Sequence, residues 1–132
     1  MLTKLKLFST MKKILIVDDE EDITASVKML VEGMGYSSKI ASSGLDALKA
    51  LNKEKFDLVL LDIMMPQMSG REVLEKIRAD SKLKNTPVAF LTAIQLGSEG
   101  TTVIKKLKVL DYFQKPIVDI DDFKRRLKKL LA

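Results

Sequence analysis

Three carboxylates, one hydroxyl and one ammonium stand at the ends of short apolar runs spread along most of the chain. Asp18 and Asp19 follow Ile14–Val17, Asp62 follows the run 56–61, Thr92 ends a run that begins after Pro87, and Lys115 follows residues 110–114. Taken singly, each has a plainer reading. Asp18-Asp19-Glu20-Glu21-Asp22 can be a solvated charge run at a helix start, Asp62 a turn residue, Thr92 a β-branched strand residue and Lys115-Pro116 a strand exit. Together they are chemically complementary. Neighbouring carboxylates repel one another and are costly to hold without compensation. A hard divalent cation relieves that repulsion, and Mg2+ favours one or two carboxylates, waters and phosphate oxygens. A lysine nearby suits phosphate as well. A carboxylate can also attack phosphorus and carry the phosphoryl group as an aspartyl phosphate. The set fits phosphoryl transfer, where positioning and charge neutralisation supply most of the catalysis.

Such a set functions only if the fold brings it together. Ile14–Val17 reads as a buried strand, and Ile23, Val27, Leu30, Val31 and Met34 then recur at helical spacing up to a stop at Gly35. Residues 36–41 read as a second strand. Ser43 is placed to cap a helix that turns Ala47, Leu48 and Leu51 inward. The run 56–61 is the strongest strand, and Gly70 opens a helix with Val73, Leu74 and Ile77 on one face. A fourth strand is expected from Pro87 to Thr92, a fourth helix over 98–108 and a fifth strand over 110–114. Asp119 then caps a last helix expected to bury Ile120, Phe123, Leu127 and Leu130. Met64, Met65 and Met68 read as packing residues rather than ligands. Five apolar strands alternating with five amphipathic helices predict an α/β fold, a doubly wound parallel sheet covered on both faces. In such sheets ligands bind beyond the carboxyl ends of the strands, where all five chemical residues fall.

Composition narrows the chemistry further. The 132 residues fit one domain and contain neither cysteine nor histidine, which excludes disulfides, thiolate chemistry, His-based triads and a phosphohistidine carried by this chain. No apolar run approaches the roughly 18 residues of a membrane span. The net charge is +5, but Lys4, Lys6, Lys12 and Lys13 lie in the first thirteen residues, so the remainder carries about +1. That is too little to argue for direct nucleic-acid binding from net charge. Residues 1–11 look like an N-terminal extension and are expected to be dispensable, leaving 12–132 as the domain.

Lys12–Glu20 (KKILIVDDE), Phe56–Gly70 (FDLVLLDIMMPQMSG), Val88–Ala93 (VAFLTA) and Asp111–Pro116 (DYFQKP) resemble the response regulator receiver domain of two-component signalling, in particular its stand-alone chemotaxis type. The resemblance covers residues 12–132. It implies a flavodoxin-like receiver fold with strand order 2-1-3-4-5, and Asp62 as the phosphoacceptor for a sensor histidine kinase or histidine phosphotransfer protein. It implies Mg2+ held by Asp19, Asp62 and the backbone carbonyl of Met64, with Asp18 acting through water. Lys115 would pair with a phosphoryl oxygen, Thr92 would turn its hydroxyl to the phosphoryl group, and Tyr112 would be the aromatic switch. Pro66 and Gly70 would shape the loop behind the metal carbonyl, and the Lys115–Pro116 bond would be cis. The module would be cytoplasmic, would signal to a downstream protein target, and would have no enzymatic activity beyond its own phosphorylation and slow dephosphorylation.

Two departures from the family pattern stand out. Lys108-Val109 occupies positions where the family usually has Gly-Ala, and the interval from Thr92 to Lys115 is one residue longer than expected. Other readings remain. The chain could be a receiver excised from a longer regulator or hybrid kinase. An aspartate-nucleophile phosphatase would need an acid two residues beyond Asp62, where Met64 stands. A flavin carrier would need a Ser/Thr/Gly-rich phosphate loop after the first strand, and a purely structural receiver would lack site residues that are all present here.

Overall fold

The computed structural model describes residues 11–132. Five strands, β1 (Lys13–Val17), β2 (Ser37–Ala41), β3 (Leu58–Leu61), β4 (Val88–Thr92) and β5 (Tyr112–Gln114), form one parallel sheet in the order β2-β1-β3-β4-β5. They alternate with α1 (Glu21–Gly33), α2 (Gly44–Lys53), α3 (Gly70–Ala79), α4 (Ser98–Lys106) and α5 (Ile120–Leu130). The doubly wound sheet and its strand order are those expected. The expected extension falls largely on residues 1–10, outside the described residues.

Period-two alternation along the strands builds the two cores. Leu15, Val17, Val59, Leu61 and Phe90 face one side, packed with Ala47 and Leu51 of α2 and Val73 and Ile77 of α3. Ile14, Ile16, Leu58, Leu60 and Phe113 face the other, packed with Val27 and Val31 of α1 and Phe123 and Leu127 of α5. β1 and β3 are buried on both faces, which explains their unbroken apolar runs. Ser43, Ser69 and Asp119 each accept a hydrogen bond from the backbone N–H three residues on, capping α2, α3 and α5.

Several local expectations shift. α1 ends at Gly33, and Gly35 takes φ 95°, a left-handed conformation suited to glycine. β3 starts at Leu58, α4 ends at Lys106 and β5 starts at Tyr112, each trimmed relative to its apolar run. Ile120 is exposed rather than buried and Leu130 only half-buried, whereas Leu131 is buried. Ile120 lies in the first turn of α5, beyond the face that Phe123 and Leu127 press onto the sheet, and lines a cleft with Ile23, Val27 and Ile117. Met65 and Met68 pack against the core as expected, but Met64 is 66% exposed. Its backbone follows Asp62 out of the sheet, which leaves the side chain no apolar neighbour layer.

Lys108 adopts a left-handed conformation with φ 55°, which explains why glycine suits that position and why lysine there carries strain. Arg78, in the last turn of α3, holds this turn. Its Nε lies 2.7 Å from the Leu107 carbonyl, and its terminal nitrogens donate to the Lys84, Thr86 and Lys108 carbonyls. One guanidinium therefore ties α3 to the segments entering β4 and β5. Replacing Arg78 with Ala leaves the part-buried carbonyls of Leu107 and Thr86 without this partner, each worth about 1–3 kcal/mol. The expected outcome is a urea-unfolding midpoint lowered by at least the equivalent of one such bond.

Candidate functional site

The backbone ladders run one residue past the strands and fix where the chemical residues begin. Asp18 N–H donates to the Ala41 carbonyl, Asp62 N–H to the Val17 carbonyl at 2.9 Å, and Lys115 N–H to the Thr92 carbonyl at 3.0 Å. β1, β3 and β5 thus deliver their next residues to the same edge in register. At the centre stands the Lys115 ammonium. Its Nζ lies 2.7 Å from Asp18 Oδ2, 3.1 Å from Asp62 Oδ2 and 3.1 Å from Glu20 Oε1. Asp18, Asp62, Thr92 and Lys115 are all buried, whereas Asp19 and Glu20 are exposed. The extra residue between Thr92 and Lys115 does not displace the lysine from the carboxylates.

Burial pushes the Asp18 carboxyl up, and hydrogen bonds from Lys115 and from the Glu20 backbone offset only part of that. Burial by itself would lower the Lys115 ammonium, but hydrogen bonds to Asp18, Glu20 and Asp62 outweigh it and hold Lys115 above its ordinary value. The lysine is therefore fully charged, as a group that must neutralise carboxylates requires.

Oxygens of Asp18, Asp19 and Asp62 all lie within 4.8 Å of one another. One ammonium against these three carboxylates leaves about two negative charges without a partner in the cluster, the deficit a divalent cation supplies. The donors are all hard oxygens, which suits Mg2+. Met64 N–H donates to Asp62 Oδ1 at 3.3 Å, so the Met64 backbone runs beside the acceptor carboxylate.

The loop leaving Asp62 depends on close approach. Gln67 has φ 68°, and Gly70 N–H donates to the Ile63 carbonyl at 2.8 Å. A Cβ on Gly70 would lie 2.0 Å from the Asp62 carbonyl oxygen. The other side of the site is tied to β5. Ile94 N–H donates to Thr92 Oγ1 at 3.4 Å, and the Tyr112 hydroxyl donates to the Ile94 carbonyl. Tyr112 is half-buried, turned toward the β4–α4 loop, and burial raises its hydroxyl pKa. The Lys115–Pro116 peptide is cis.

The structure brings Asp18, Asp19, Asp62 and Lys115 together, sets Thr92 beside Lys115 at the neighbouring strand end, and joins Tyr112 to the Ile94 carbonyl two residues beyond Thr92. Two contributors were not singled out. Glu20 bonds Lys115, but in sequence it is one of five consecutive acids and carries no signal of its own. The Ile94 carbonyl is a backbone acceptor and leaves no mark in residue type.

Comparison with known proteins agrees with this geometry. The sequence matches the family described as "Response regulator receiver domain" over residues 14–128. The chain belongs to that family. Among curated relatives, the receiver is 36% identical over 118 residues to the transcriptional regulatory protein CrdR of Helicobacter pylori, covering 89% of this chain and 54% of that protein. It is 37% identical over 121 residues to ZraR of Escherichia coli, covering 90% of this chain and 26% of that protein. The receiver therefore spans about half or less of these regulators. Solved structures of similar size include chemotaxis protein CheY4 of Vibrio cholerae, with TM-score 0.83, 30% identity and coverage of 92% of this chain and 100% of that one. Another is TrrA of Thermotoga maritima in complex with Mg2+-BeF, with TM-score 0.78, 37% identity and coverage of 92% and 100%.

Gly70 gives a direct test of how tightly the receiver's acceptor loop is packed. Gly70→Ala is expected to destabilise the fold by about 1–3 kcal/mol, because the contact is with backbone that cannot rotate away. A shift of the urea midpoint reads it.

Proposed function

We propose that this receiver accepts a phosphoryl group on Asp62 from a phosphohistidine of a sensor kinase or phosphotransfer protein, and that phosphorylation switches its contacts with a downstream protein. The observation that carries this reading is the buried Asp62 carboxylate, bonded by Lys115 and backed by Asp18 and Asp19. An Asp62 oxygen attacks phosphorus, the P–N bond breaks, and the leaving imidazole keeps the electron pair. Lys115 stays charged and follows the negative charge from the carboxylate to a phosphoryl oxygen. Asp19, Asp62 and the Met64 carbonyl would hold Mg2+ directly and Asp18 through water; bound Mg2+ would neutralise the oxygens of the transferred group. The Mg2+-BeF complex of the similar Thermotoga protein supports that assignment.

Thr92 and Tyr112 carry the output. The Thr92 hydroxyl accepts from Ile94 N–H at 3.4 Å and keeps its own hydrogen to donate to a phosphoryl oxygen, so turning toward the phosphoryl group pulls on the β4–α4 loop through Ile94. Tyr112 holds the same loop through the Ile94 carbonyl, so movement of Thr92 biases the position of Tyr112 and of the surface beside it. The relatives are transcriptional regulators with additional chain outside the matched region, which supports a protein target over direct nucleic-acid contact at this site. In this reading the domain is not an enzyme acting on other substrates; its only reactions are its own phosphorylation and dephosphorylation.

Incubation with acetyl phosphate, with and without Mg2+, tests the assignment by mass. Wild type gains one phosphate with Mg2+, Asp62→Asn gains none because an amide is not a competent nucleophile, and Asp19→Ala binds Mg2+ more weakly than Asp18→Ala. Undiminished labelling of the Asn variant overturns the acceptor assignment.

Hydrolysis of the product is expected to be slow. Water must approach phosphorus in line past the residues two beyond Asp62 and Thr92, which are Met64 and Ile94. Neither side chain offers a strong acceptor to orient it. Met64→Asn with Ile94→Glu is expected to speed loss of label at least tenfold, about 1.4 kcal/mol of barrier, followed after the donor is removed. Wild-type loss within seconds contradicts this.

A further inference from the structure

Every hydrogen of the Lys115 ammonium is engaged in the resting site. An ammonium carries three donors, and Asp18 Oδ2, Asp62 Oδ2 and Glu20 Oε1 take one each. Phosphoryl transfer brings a fourth acceptor. While the donor arrives Asp62 is still a carboxylate, and the incoming phosphoryl oxygen also needs the ammonium. One of the three partners must let go. Asp18 and Asp62 are buried, so water does not replace a bond taken from either. The Glu20 side chain is 60% exposed, and water takes up its carboxylate at little cost.

Glu20 also stands where a different residue would serve its helix better. It occupies the N-cap of α1, and glutamate is not among the favoured caps. Ser43, Ser69 and Asp119 cap α2, α3 and α5 with their side chains, and α4 starts after Gly97, which has no side chain to offer. Among the described helices, α1 alone has a carboxylate at its N-cap that makes no cap bond; it reaches instead to Lys115, 95 residues along the chain. The Glu20 backbone is held on both sides. Its N–H donates to Asp18 Oδ1 at 3.0 Å, and its carbonyl accepts from Thr24 N–H at 3.1 Å. Release from Lys115 therefore needs only a turn of the side chain, with α1 left in place.

From this geometry we infer that Glu20 is a positioning residue for phosphoryl transfer: it holds the third hydrogen of Lys115 in the resting domain and yields it to the incoming phosphoryl oxygen. The inference rests on the reading of Asp62 given above. The contact makes Glu20 a competitor of the donor, and its charge adds to an edge that already repels anions. At the site edge, residues 18–22, 42–46, 62–72, 93–100 and 115–122 hold twelve carboxylate residues and two cations. The opposite edge, residues 11–13, 33–37, 53–57, 80–87, 105–111 and 128–132, holds eleven lysines and four carboxylate residues. Of the site-edge acids outside the Asp18, Asp19 and Asp62 cluster, Glu20 is the one bonded to Lys115. It therefore restrains phosphorylation by small anionic donors.

The test compares the full chain with Glu20→Ala and Glu20→Asp, labelled with acetyl phosphate and Mg2+ and followed by mass. In that reaction an Asp62 oxygen bonds to phosphorus, the P–O bond to the acetyl group breaks, and acetate leaves with the electron pair. Glu20→Ala removes both contact and charge. Glu20→Asp keeps the charge, but aspartate is a favoured N-cap whose carboxylate turns back to the first-turn N–H groups, away from Lys115. Both variants are expected to be labelled at least about threefold faster than wild type, the scale of a largely exposed ion pair. Calorimetric titration with beryllofluoride at fixed Mg2+ is expected to show tighter binding by a similar factor, which a role confined to the stability of α1 would not produce. The urea midpoint of Glu20→Asp should be no lower than that of wild type, so that faster labelling is not a loosened fold. Unchanged labelling in both variants overturns the inference. So does a gain in Glu20→Ala without one in Glu20→Asp, because charge alone would then explain it. A chain that takes no label with or without the substitutions fails at Asp62 itself, whereas a labelled wild type with no gain in the variants sinks only the role of Glu20.

Discussion

Lys115 places one ammonium among carboxylates that the sheet has withdrawn from water. Asp18 and Asp62 are 2% and 1% exposed, and each accepts a hydrogen bond from the Lys115 ammonium, which offsets the cost of burying a carboxylate. Much of the architecture serves that contact. Three strands must be parallel and in register for Asp18, Asp62 and Lys115 to leave the sheet at one level, and the ladder bonds beyond Val17, Ala41 and Thr92 set that level. The same bonds make the pocket electrically incomplete, with more carboxylates than the lysine can balance. A pocket with that deficit is suited to a divalent cation rather than to a single permanent ion pair.

Closeness at the acceptor is matched by a short route outward. The side chain and backbone of three residues connect Asp62's neighbourhood to β5: Thr92 to the Ile94 N–H, and the Ile94 carbonyl to the Tyr112 hydroxyl. A change in what the Thr92 hydroxyl bonds is therefore felt at Tyr112 through one loop. Behind that loop, Arg78 fixes the turn at Leu107 and Lys108 to α3. The Thr92–Ile94–Tyr112 link and the Arg78 brace thus lie at opposite ends of α4, which contains no fully buried residue to anchor it.

The sheet and site were legible in the sequence because the signals are local and redundant. Each strand is an apolar run that stops at a polar residue, and the stopping residues are the chemical ones. Ser43 and Asp119 announced their helices because a cap is a short-range bond. What failed depended on tertiary placement. Ile120 fits a helical apolar pattern, but lies one turn beyond the sheet. Met64 belongs by type with Met65 and Met68, yet the chain's exit from β3 turns it outward. Lys108 could be noted as a departure from Gly, but its left-handed backbone and the Arg78 brace that holds it involve residues 30 positions apart.

Charge was the least legible property, because its arrangement is spatial. Along the sequence, acids and bases alternate segment by segment and nearly cancel beyond the first thirteen residues. In a parallel sheet every segment after a strand goes to one edge and every segment before a strand goes to the other. Alternation in sequence then becomes separation in space, twelve carboxylate residues on one edge and eleven lysines on the other. Helix polarity alone would produce a milder version of the same pattern. The loop lysines Lys12, Lys55, Lys82 and Lys84 exceed it. A small net charge is therefore compatible with a strong local field, and the two edges of this sheet can face different partners at the same time.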